Sequence, residues 1–188
     1  MSCNSPNCSC EIDNEIQIRN DSILNIMDSL TIERGNYFEK YDEPMLQELD
    51  GKSYRLIDYS WMRNEAIIYR ISKSKDRYYL YYRKIVKSEN SYDDFGNKKD
   101  SINISSKIPL TDEFVTNLDS MFEANCFWGI PIIPHVSLDP VEYTLEISNP
   151  KFDECSKRSY HIVDLLSLDK NHESLDLICK EFVKAAEQ

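Results

Sequence analysis

The chain has 188 residues, with 33 Asp+Glu against 22 Lys+Arg and a formal net charge of −11; it is 41% hydrophobic and 11% aromatic, and 12 of its aromatics are tyrosines. The length suits one domain with a core of its own, and the acidity argues against nucleic-acid binding, because neutralising phosphates needs a basic surface. Four glycines rule out a glycine-rich phosphate cradle; no stretch matches a P-loop or a dinucleotide fingerprint, and no run of apolar residues is long enough to span a bilayer.

The first segment, residues 1–20, is polar, unpatterned and Asn/Ser-rich, which predicts a disordered leader holding three of the six cysteines, Cys3, Cys8 and Cys10. A zinc site needs four ligands, usually with paired cysteines, and this spacing lacks that form; the expectation is no metal and no cofactor. Ser2-Cys3-Asn4-Ser5 resembles the start of a mature bacterial lipoprotein, with Cys3 as the lipidated residue. On that reading the protein is a structural lipoprotein anchored in the cell envelope; without it the expected location is cytoplasmic. Residues 21–188 read as a single domain. Ile23, Leu24, Ile26, Met27 and Leu30 follow helical spacing from an Asp21 or Ser22 cap, and Gly35 ends that helix. A polar connection over 36–52 closes on the Asp50-Gly51 turn signal.

The period then changes from 3.6 to 2. Residues 53–59, 65–71 and 78–86 are β-prone, with a short charged link between the last two that predicts an antiparallel hairpin. A polar loop over 88–100 follows; its Asp93-Asp94-Phe-Gly96-Asn97 run lacks the alternating acids of a calcium loop, and Ile102–Ile104 can return as a further strand. Thr111 is a good helix N-cap, with Asp112 and Glu113 in the first turn and Phe114, Val115, Leu118, Met121 and Phe122 on one stripe. Past Cys126-Phe-Trp-Gly-Ile-Pro131, where Cys126 is expected to be buried, three prolines make the chain irregular. Residues 141–147 alternate cleanly, 159–164 form a partner strand, and a helix from Asn171 to Ala186 buries Leu175, Ile178, Cys179, Phe182 and Ala185. The result is an α+β domain: a mainly antiparallel sheet of five or six strands packed by two or three helices.

Phe127-Trp128-Gly129-Ile130-Pro131, Glu142-Tyr143-Thr144-Leu145-Glu146 and Tyr160-His161-x-Val163 together resemble a pattern found in small uncharacterised bacterial proteins, over roughly residues 53–188. The resemblance implies the fold and assigns no chemistry.

Three groups are candidate sites. His161 could approach Glu142 or Glu146 across paired strands, and such a His–carboxylate pair is the one arrangement here suited to acid–base chemistry. Phe127-Trp128 is either the apolar lip of a pocket or a plug sealing helix to sheet. Tyr78, Tyr79, Tyr81 and Tyr82 must expose rings on one face of their strand, interleaved with Arg70, Arg77, Arg83 and Lys84. Tyr79, Tyr81, Arg83 and Trp128 are therefore the expected binding residues. Charge is unevenly spread, since the hairpin over 63–87 is locally basic while acids dominate 11–50 and 111–188. The leading expectation is a non-catalytic interaction domain that binds another protein, of the immunity type that neutralises a basic partner. A small enzyme using His161 is the alternative.

Overall fold

Period-two alternation builds the sheet, and helices from the middle and the end of the chain cover one of its faces. The computed structural model of the chain describes residues 15–16, 18–23, 41–60, 65–92, 98–132, 141–150, 160–166 and 173–187. The strands are β1 (Ser53–Ser60), β2 (Glu65–Ser74), β3 (Arg77–Tyr92), β4 (Lys98–Pro109), β5 (Val141–Ser148) and β6 (Tyr160–Leu166). The helices are α1 (Asp112–Ala124) and α2 (Glu173–Ala186). All neighbouring strands run antiparallel in one sheet of order β4-β3-β2-β1-β5-β6. This is the α+β architecture expected. Among the described residues no helix is long and apolar enough to cross a membrane.

On the inner face, Tyr54, Leu56, Tyr69, Ile71, Leu80, Leu145, Ile147, Val163 and Leu165 meet the apolar stripes of α1 and α2. Each fully buried large side chain there contributes about 1.5–3 kcal/mol of transfer free energy. The α1 N-terminus forms as read: the Thr111 hydroxyl accepts from the Phe114 amide at 3.1 Å, with Asp112 and Glu113 at the positive end of the dipole. Phe122 stacks on Tyr54 at 5.4 Å between centroids and meets the edge of Phe127 at 4.9 Å.

The outer face is covered by a strap, residues 41–50, that runs across the strands without pairing to them. Tyr41 and Met45 pack on Ile57, Ile68 and Ile85. Leu46 opens a short 3-10 turn, Leu46–Glu48, and is fully buried. The central strands are thus buried on both faces.

Two expectations are corrected. Residues 18–20, expected in a disordered leader, are helical and continue to 23, and Asn20 is fully buried; its side-chain amide has backbone partners that a polarity reading cannot see. The polar loop expected over 88–100 is largely strand, since β3 runs to Tyr92 and β4 starts at Lys98, with Tyr92 opposite Lys98. Backbone pairing there overrides side-chain polarity. Residues 93–97, His135, His172, Cys155 and the three opening cysteines lie outside the described residues.

Burial raises the Tyr54 and Tyr69 hydroxyls well above the ordinary tyrosine range, Tyr54 further through its charge interaction and hydrogen bond with Asp119. Burial likewise pushes the Cys179 thiol up to about 12. The folded state therefore keeps protons that the unfolded chain releases, so stability falls as pH rises above the ordinary thiol and phenol values. Each group contributes a loss of about 1.4 kcal/mol per pH unit in that range. Urea unfolding followed from pH 7 to 11 is expected to show a decline beginning near the thiol value and steepening beyond the phenol value, and Tyr54→Phe should make the upper limb shallower.

Candidate binding site

The outer face carries the densest polar chemistry in the fold, and strand register creates it. Glu146 on β5 faces Arg55 on β1, Arg55 faces Arg70 on β2, Arg70 faces Tyr81 on β3, and Tyr81 faces Lys107 on β4. Two arginines directly opposite each other repel unless carboxylates intervene. Glu146 and Glu43 intervene. Arg55 donates from Nη1 to Glu146 Oε2 at 3.2 Å and from Nη2 to the Pro44 carbonyl. Arg70 donates from Nε to Glu43 Oε2 at 2.9 Å. Arg83 Nε lies 2.8 Å from Glu43 Oε1, and its Nη1 donates to the Tyr41 carbonyl at 2.7 Å. The side chains of Arg55, Arg70, Glu43 and Glu146 are at least nine-tenths buried. Glu43 is therefore the anchor of the strap, gripped by two guanidinium groups.

Toward the β4 edge this cluster opens onto an aromatic platform. Tyr79 and Tyr81 stand side by side with ring centroids 6.4 Å apart. The Arg70 guanidinium lies 3.9 Å from the Tyr81 ring centre, and the Lys107 ammonium sits 4.1 Å from Tyr79 and 5.1 Å from Tyr81. Both tyrosines are half-buried, and Lys107 is exposed. A platform of tyrosine rings under a cation can pack against a partner's apolar or carboxylate groups.

The expected site residues divide by face. Tyr79, Tyr81 and Arg83 share the outer face, but Arg83 is committed to the strap. Trp128 is buried on the inner face, on the far side of the sheet from the tyrosines, so the four expected binding residues do not form one surface. His161 and Glu146 do not pair. His161 is opposite Ile147 and Glu146 is opposite Ile162, which puts His161 and Glu146 on opposite faces. Glu142 falls at a register shift in β5, and its side chain lies outside the described residues. His161 is fully buried, edge-on to Phe127 at 5.3 Å and tilted against Trp128 at 6.0 Å. Its Nε2 lies 3.1 Å from the Ile130 carbonyl. That oxygen only accepts, so Nε2 holds the proton.

The same carbonyl accepts from Asn20 Nδ2 at 2.9 Å, and Asn20 Oδ1 accepts from the Ile132 amide at 2.8 Å. Asn20 and His161 thus pin the segment after Trp128 to the sheet and to helical residues 18–23. Sequence reasoning missed Asn20 because it lies in a polar stretch with no period. Cys126 is a correction as well: it is exposed, adopts a left-handed conformation (φ 49°) at the end of α1, and is disulfide-bonded to a partner outside the described residues.

The outer surface of α1 is the third feature. Residues 108–150 contain seven Asp/Glu and no Lys or Arg. On α1, Asp112, Glu113 and Glu123 are exposed, while Asp119 is paired with Lys52. No protein-family model, no curated protein and no solved structure matches the chain.

Removing one partner from the buried cluster leaves an uncompensated charge. Glu43→Gln is expected to lower the unfolding free energy by about 3–5 kcal/mol. Asp42, whose carboxylate is 93% exposed beside Arg83, is a control, and Asp42→Asn should change stability by less than about 1 kcal/mol. Chemical denaturation of both variants measures the difference; equal effects would show that the strap is not anchored through Glu43.

Proposed function

We propose that the chain is a non-catalytic protein-binding domain that neutralises a basic partner, as an immunity-type protein does, through the outer surface of α1. The observation that carries this reading is charge segregation: a 43-residue stretch, 108–150, holds seven Asp/Glu and no Lys or Arg, and α1 within it turns Asp112, Glu113 and Glu123 to solvent. A one-signed surface steers an oppositely charged protein toward it and raises association rates by about 10–1,000-fold at low salt. The partner is then a protein with an exposed cluster of Lys and Arg. The Tyr79–Tyr81 pair supports the same interaction reading as a second contact surface, since tyrosines anchor interfaces at low entropic cost.

The acid–base alternative has less behind it. The buried His161 imidazole bonds to a backbone carbonyl, and Glu146, one of the two carboxylates suggested as its partner, is bound to Arg55 on the other face. Envelope anchoring rests on Cys3, which lies outside the described residues.

The test is affinity capture from the native source at low salt, followed by kinetics with the captured protein. The expected partner is basic, and the triple variant Asp112→Lys, Glu113→Lys, Glu123→Lys should associate at least about tenfold more slowly. Raising the salt should slow the unmodified chain in the same way. A partner that binds both forms at equal, salt-independent rates would overturn the reading.

A further inference from the structure

The two edges of the sheet are treated differently. β6 is flanked by Ile132 and by Ile23 of the helical stretch, both packed on Ile162. β4 has β3 on one side, and among the described residues no strand pairs with its other side. Long open edges recruit other strands, and proteins usually blunt them with charge, proline or irregularity. β4 has Lys107 and Pro109 toward one end, yet its middle residue, Ile104, is 49% exposed.

The register of β4 on β3 contains a further detail. Pairing advances residue by residue from Tyr79↔Pro109 to Lys84↔Ile104, but the next pair is Ile85↔Ile102. Asn103 is skipped. Counted by their β3 partners, Lys87 back to Tyr81, the positions along β4 are therefore 100, 101, 102, 104, 105, 106 and 107. This series is symmetric about Ile104. In this backbone register positions 100 and 107, 101 and 106, and 102 and 105 fall in step along the strand. Without the skip, positions 100 and 107 would fall on opposite faces, because side chains alternate with a period of two.

We infer that β4 is a docking edge for a second copy of this chain, the two strands joining antiparallel about a two-fold axis at Ile104. Read against itself in that register, Asp100 meets Lys107 of the other copy at both ends, Ser101 meets Ser106, Ile102 meets Ser105, and Ile104 meets Ile104. The occupant follows from the complementarity of the edge with itself: opposite charges at the two ends, small hydroxyls inside them, and an exposed isoleucine at the centre. Opposite charges directly across an antiparallel pair are favourable and like charges unfavourable. Closed two-fold interfaces of this isologous kind are the commonest in homo-oligomers. The pairing also satisfies edge backbone groups and covers an exposed apolar side chain. The inference is independent of the basic partner proposed above.

Sedimentation velocity on the full chain across a concentration series is the test. The unmodified chain is expected to form a dimer. Ile104→Lys places two ammonium groups on the axis and should leave a monomer. Lys107→Asp and Asp100→Lys each set like charges opposite each other and should weaken the dimer about tenfold, and the combined swap should restore it. Amide hydrogen exchange provides a readout free of substitutions: residues 104–108 should gain protection as concentration rises. A monomer at every concentration, a dimer indifferent to Ile104→Lys, or a charge swap that fails to restore association would each overturn the inference.

Discussion

Glu43 between Arg70 and Arg83 is the interaction on which the outer half of the molecule depends. Taking a guanidinium out of water costs several kcal/mol even after relaxation, and Arg55 and Arg70 are both almost wholly buried here. Their burial is tolerable because two carboxylates, the Pro44 carbonyl and the Ser72 hydroxyl meet them. Among the described residues the strap pairs with no strand, so side chains do the holding that a backbone ladder would otherwise do. Sheet and strap are therefore mutually conditional. Without the strap, the arginine row returns to water and Ile57, Ile68 and Ile85 lose the cover that Tyr41 and Met45 give them. Without the row, the strap keeps its Arg83 contacts and the packing of Tyr41, Met45 and Leu46.

That dependence also fixes register. Glu146, Arg55, Arg70, Tyr81 and Lys107 form one cross-strand row over five strands. A one-residue slip between β1 and β2 would turn an arginine toward the inner face among Tyr54, Leu56 and Ile71, away from Glu146 and Glu43. The hydrophobic inner face alone resists such a slip; the ion row adds a second penalty that a purely apolar sheet would lack. The other end of the molecule uses hydrogen bonds for the same purpose. Asn20 and His161 converge on the Ile130 carbonyl and fix the turn that lowers Phe127 and Trp128 into the core. The histidine that drew notice as a general base is occupied as a structural donor.

Much of the fold is legible in the sequence, since alternation over 53–60, 65–74 and 141–148 and the Thr111 cap are local signals. What escapes is information about the opposite side of a contact. Arg55 reads as a solvent-facing residue in an alternating strand, and only the strap makes it a buried one. Glu43 sits in a segment without period, so nothing marks it as the most enclosed acid of that stretch. A usable signal did exist, because hairpin pairing puts Arg55 opposite Arg70 and such a pair demands an intervening acid. The His161–Glu146 expectation failed by one residue of register, the smallest error that exchanges the faces of a strand. Lys107 joined the tyrosine platform from a strand whose extent the polar composition concealed.

Edge geometry and charge distribution have a joint consequence. If two copies join through β4 with like faces aligned, the axis runs perpendicular to the sheet and both helical layers lie on the same side. Each copy then presents its acidic α1 surface in the same direction, while the Tyr79–Tyr81 platforms occupy the opposite side near the axis. A basic partner with two contact points, or two copies of one, would meet a bivalent surface, and tethering the second contact strengthens binding without any new chemistry. Repulsion between two chains of formal charge −11 opposes such a dimer, but it is reduced where the chains touch, because Lys107 is exposed there and Arg70 and Arg83 offset Glu43 and Asp42. The segregation that makes α1 acidic thereby leaves the sheet edge able to accept a second negatively charged molecule.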